Sequence, residues 1–92
     1  MNSNLGSGLR NTDKNGITSY PVQVGCYRVI HDVVGLPNGS GMYGVLFLVD
    51  GGTYIMHLFI DAFNVMYWCR TNGFGTPISW EKATSTSVTA IS

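Results

Sequence analysis

Charge is what this chain has least of. Lys, Arg, Asp and Glu make up 11% of its 92 residues, against about 25% in an ordinary soluble domain, while 45% of the residues are hydrophobic. Five basic and five acidic side chains cancel to a formal net charge of zero. No general field therefore draws the protein to a phosphate backbone, and no nucleic acid is expected as a partner. Long apolar runs are missing too. The longest, residues 42–49, contains Gly44 and falls far short of the ~20 residues that span a bilayer, so no membrane insertion is expected. The first residues lack a basic region leading into an apolar core, and no secretory signal is read there. Helical patterning is absent as well: no apolar i, i+3, i+4, i+7 stripe extends far without glycine or β-branched crowding. Little or no helix is expected.

Cysteine is scarce. Cys26 and Cys69 lie in separate β-like runs rather than in a close Cys-x-x-Cys pair, so a disulfide is possible but not implied, and two reduced, buried thiols are the expected state. A chain of this length hides only about 60 to 65% of its unfolded surface. With so few ionic groups, its exterior must be clothed in Ser, Thr, Asn and Gly or be partly buried against another subunit, and both are expected.

What is present is β-type. Residues 1–20 are rich in Asn, Ser, Gly and Thr and read as a linker or fibre stem, because such composition buries too little to offset its ordering entropy. The span 21–83 reads as one domain. Residues 22–30 alternate imperfectly, with Cys26 and Arg28 on one side and Tyr27 and Val29 on the other. Residues 35–41 form a Gly-Pro-Asn loop. Residues 42–49 are apolar on both faces and read as a strand covered on both sides. Asp50-Gly51-Gly52 suits a tight hairpin turn, with a return strand over 53–60. A second short turn is read at 61–64 and another strand at 65–71. Residues 72–77 are again a loop, before a short segment around Trp80, and residues 84–92 form an uncharged, extended Ser/Thr-rich tail. The expectation is an all-β fold of about five strands, a small antiparallel sheet or sandwich.

The landmarks also resemble a known family in their order. Gly25-Cys26-Tyr27-Arg28-Val29 is similar to the Gly-x-Tyr-Arg-Val opening of pyocin-knob-type domains, and Leu36-Pro37 resembles the Leu-Pro of the loop that follows. Residues 45–49 and 54–61 resemble the central hairpin, residues 65–71 the strand ending in Arg-Thr, and Trp80-Glu81 the closing Trp. The likeness spans roughly residues 20 to 83. Such knobs occur in phage and R-type pyocin tail fibres, which are commonly homotrimers with distal regions on the bacterial surface. The resemblance implies a virion or tail-like particle, a homotrimer, and a bacterial cell-surface glycan or protein receptor as partner.

Enzymatic chemistry is not expected. The carboxylates are Asp13, Asp32, Asp50, Asp61 and Glu81, and Asp50 and Asp61 fit turn roles better than a glycosidase pair. No cofactor and no metal are expected: His31 and His57 form no close pair and have no obvious third ligand. Tyr27, Phe47, Phe59, Tyr67 and Trp80 fit core or interface positions. Phe63 and Phe74 differ, because each lies in a connection next to an amide side chain, Asn64 or Asn72. An exposed loop aromatic can stack on a sugar ring while the amide supplies donor and acceptor. Phe63, Asn64, Asn72 and Phe74 are therefore the candidate ligand-binding residues, and the loops 35–41, 61–64 and 72–77 are the expected recognition surface, for a saccharide first of all. The alternative is a purely structural knob that holds fibre chains in register.

Overall fold

Five strands form in the computed structural model, which describes residues 16–38, 43–83 and 86–91. They are β1 (Gly25–Val29), β2 (Gly44–Asp50), β3 (Ile55–Asp61), β4 (Met66–Thr71) and β5 (Glu81–Lys82). All neighbours are antiparallel, in the order β1-β2-β3-β4-β5. The all-β expectation of about five strands is met by a single sheet, and there is no helix among the described residues. The glycine loop at 39–41, Met42 and the stem residues 1–15 lie outside the described residues.

Turn chemistry sets the register. The β2–β3 hairpin closes on the pair Asp50 and Ile55, so its loop is 51–54 and the return strand starts two residues later than the composition suggests. Asp50 Oδ1 accepts from Gly52 N at 2.8 Å and Gly51 N donates to Tyr54 O at 2.8 Å, while Gly52 sits at φ 97°, a region open to glycine. The β3–β4 connection is wound around Asp61. Its Oδ1 accepts from Phe63 N at 2.9 Å and Val65 N at 3.0 Å, and Asn64 takes the left-handed conformation at φ 65°, which Asn tolerates best among residues with a Cβ.

Strand pleating gives the sheet two unlike faces. Tyr27, Val29, Leu46, Leu48, Ile55, His57, Phe59, Asp61, Tyr67 and Cys69 are buried, and register puts them all on one side. Irregular chain covers that side. Ile17 and Val33 are buried in the core cluster, with Tyr20, Leu36, Val65 and Trp80 packed against it. The packed unit therefore takes in residues 16–20, which composition assigns to a stem, because Ile17 and Tyr20 find apolar surface on the sheet and Ile17 N donates to Arg28 O at 3.0 Å.

Candidate functional site

The second face of the sheet holds the most unusual surface of the molecule. Register aligns Cys26, Phe47, Leu58 and Trp68 across four strands, with Val45, Ile60 and Met66 in the row on one side and Val49 and Met56 in the row on the other. None of these is fully buried. Val49 is 54% exposed, Met66 38% and Trp68 36%. The reading of residues 42–49 as a strand covered on both sides is therefore corrected: Leu46 and Leu48 face the core, while Val45 and Phe47 are half-buried on a face that adds nothing to it. Charge is confined to the rim of this face. Arg28 lies on β1, Glu81 on β5, and Arg70 on the outermost row, where its guanidinium sits 5.1 Å above the Tyr54 ring. Four strands at about 4.8 Å and seven residues at about 3.3 Å give the face a footprint on the order of 400 Å². That lies within the range of the largest apolar patches on monomers, which are often functional, and it matches the apolar centre of a standard interface of roughly 800 Å² per partner. A shallow hollow of about 390 Å³ deepens it beside Val24, Cys26, Phe47 and Val49.

The core face carries a buried polar chain. Thr71 Oγ1 donates to Gly73 O at 2.6 Å, so it must accept from His57 Nε2, 2.8 Å away. That fixes the tautomer, and His57 Nδ1 accepts from the Tyr20 hydroxyl at 2.6 Å. Sequence reasoning missed this chain, because Tyr20 and His57 are separated by 37 positions. Burial lowers the His57 pKa and raises that of Tyr20, with a smaller contribution from Cys69, so the pair stays neutral. The Trp80 ring meets His57 edge-on at 6.1 Å, and its Nε1–H donates to Gly35 O at 2.7 Å. Gly35 has φ 106°, and a Cβ there would lie 2.5 Å from Thr76 Cγ2 and 2.9 Å from Tyr20 Cδ2. Loop 35–38, Tyr20 and the segment after β4 are thus locked together over the sheet.

Both imidazole nitrogens of His57 are engaged, and no group of three His, Cys, Asp or Glu comes together among the described residues. Cys26 and Cys69 are both thiols. They point to opposite faces with two strands between them, roughly 14 Å across the sheet, far beyond the ~7 Å that a disulfide bridges. Burial pushes the Cys69 thiol up to about 11, which makes it a poor nucleophile.

The four predicted ligand residues fall in two places. Phe63 and Asn64 sit in the turn before β4, and Asn72 and Phe74 in the loop after it. β4 has six residues, so the two pairs lie at opposite ends of a strand, roughly 20 Å apart. All four are exposed, Phe63 at 78% and Phe74 at 45%. No protein-family model, no curated protein and no solved structure matches the chain.

Proposed function

We propose that this chain is a non-enzymatic, fibre-knob-type interaction module that assembles with copies of itself, as a homotrimer, through the open face of its sheet. Its loops are then free to meet a bacterial surface component, a glycan or a protein. One observation carries the reading: a row of Cys26, Phe47, Leu58 and Trp68 crosses four strands on a face that contributes nothing to the chain's own core. In a chain with 11% charged residues, such a face is covered most simply by the corresponding faces of two further copies gathered around a threefold axis, with Arg28, Arg70 and Glu81 left at a polar rim. The resemblance to tail-fibre knobs supports the same reading, with a virion or tail-like particle as the proposed location.

Charge on the face tests the assembly. Leu58→Lys and Phe47→Lys project outward from the sheet, so each is expected to convert the assembled chain to monomers that keep their β spectrum. A chain whose mass in solution ignores both changes would refute the interface.

A second reading, a purely structural knob without a receptor, is favoured by the separation of Phe63 and Asn64 from Asn72 and Phe74 at the two ends of β4. Changing all four to Ala decides between them. Unchanged adsorption to cells by an intact assembly would leave only the structural role for those loops.

A further inference from the structure

The core face is not sealed at its β4–β5 corner. Tyr67 and Lys82 are register partners there, and loops 35–38 and 77–80 leave an open cleft of about 480 Å³ above them. Leu36, Pro37, Pro77, Tyr67 and Trp80 give it carbon surface, and Asn38, Ser79 and Lys82 give it polar groups.

The cleft is preformed. The Trp80 N–H bond to Gly35 O ties one wall to the other, and Pro37 and Pro77, both buried, hold their backbone at a fixed φ. The Tyr67 hydroxyl is held by Asp61, whose Oδ1 also serves Phe63 N and Val65 N. Asp61 itself is not among the lining residues, and among the described residues that line the cleft Lys82 carries the one formal charge. A rigid cleft with an aromatic side, two small polar groups and one ammonium fits a particular ligand chemistry. That ligand has a carbon face to lie against rings, hydroxyls to satisfy amide and hydroxyl partners, and one negative charge.

Resting on the recognition reading above, we propose that this cleft, rather than the loops of Phe63 and Phe74, is the ligand site, and that it takes a saccharide bearing a carboxylate. The carbon face of the sugar ring packs toward Tyr67 and Trp80, its hydroxyls reach Asn38 and Ser79, and its carboxylate pairs with the Lys82 ammonium.

The test uses the full chain and two probes, an oligogalacturonate and a sialylated oligosaccharide, each beside its neutral methyl ester, with binding followed by calorimetry. At least one acid is expected to bind about three- to five-fold tighter than its ester, the range that one exposed charge pair supplies. The exposed substitution Lys82→Gln should abolish that preference while leaving unfolding unchanged. Equal binding of acid and ester, a preference that survives Lys82→Gln, or failure to bind either acid would overturn the proposal, as would tighter binding of a peptide bearing a free C-terminal carboxylate. Mass measured on the same samples separates this inference from the assembly. An assembled chain that ignores both acids sinks the cleft alone, whereas a monomer that binds with the Lys82-dependent preference keeps the cleft and sinks the assembly.

Discussion

Replacing His57 with Leu should weaken the fold and also remove the pH dependence that this buried imidazole supplies. His57 is fully buried on β3, accepts from Tyr20 and donates to Thr71. Leu fills similar volume but leaves the Tyr20 hydroxyl without an acceptor in a packed site, at a cost of about 1 to 3 kcal/mol. Thr71 loses less, since its hydroxyl still donates to Gly73 O. A total of about 2 to 3 kcal/mol is expected, a large share of the roughly 5 to 10 kcal/mol available to a domain of this size. The pH dependence has a definite sign. Burial lowers the His57 pKa in the folded state, so below the unfolded value of about 6.5 the unfolded chain binds the extra proton first. His57's contribution is therefore complete above about pH 6.5 and declines as pH falls through that value toward the depressed folded one, with a slope of at most ~1.4 kcal/mol per pH unit. Among the described residues the titratable groups beside the ring are Tyr20, its hydrogen-bond partner, and Cys69, its cross-strand register partner, with Thr71 and Trp80 as the remaining neighbours. Urea unfolding at a series of pH values, with protein concentration held constant because assembly couples to stability, measures both effects. The variant should be weaker near neutrality and should lose its disadvantage on acidification. Parallel pH curves for wild type and His57→Leu would refute the neutral, hydrogen-bonded histidine.

Substitutions at three further positions probe the cover and the turn. Trp80→Phe keeps the ring packing but leaves Gly35 O without its donor, and should cost about 1 to 3 kcal/mol in urea unfolding, with faster amide exchange across residues 35–38. Gly35→Ala combines a left-handed φ with contacts to Thr76 and Tyr20; a loss of about 1 to 3 kcal/mol is expected for the backbone strain alone, and unchanged thermal unfolding would show that the loop yields freely. Asp61→Ala removes the acceptor of two turn N–H groups and the partner of Tyr67, so a loss of about 2 to 4 kcal/mol is expected from two to three charge-assisted bonds, while Asp61→Asn should recover part of it.

The strand skeleton was readable in the sequence because pleating leaves a period of two. In β3 the alternation of Ile55, His57 and Phe59 against Met56, Leu58 and Ile60 identifies both faces. It does not say which face is the core when both are greasy, and in β2 this ambiguity hid the open surface of Val45 and Phe47. Asp61 and Asn64 were legible as turn residues since their side-chain and backbone preferences are local. The cover of the sheet was not. Tyr20 meets His57 across 37 positions and Trp80 meets Gly35 across 45, contacts that rest on three-dimensional packing of irregular chain rather than on any repeat. For the same reason the cleft beside Trp80 is legible only in its loop walls at 35–38 and Pro77 and not in the Tyr67, Trp80 and Lys82 that complete it, whereas Phe63 and Phe74 stand out as loop aromatics although the strand between them keeps them apart.

Mass in solution by light scattering, followed across a wide dilution series, goes to the centre of the account. Three chain masses, falling to one for Leu58→Lys without loss of β structure, are predicted from a sheet whose second face is finished only by its neighbours. A wild-type chain that stays a stable monomer at every concentration, with Phe47, Leu58 and Trp68 open to water, would contradict it.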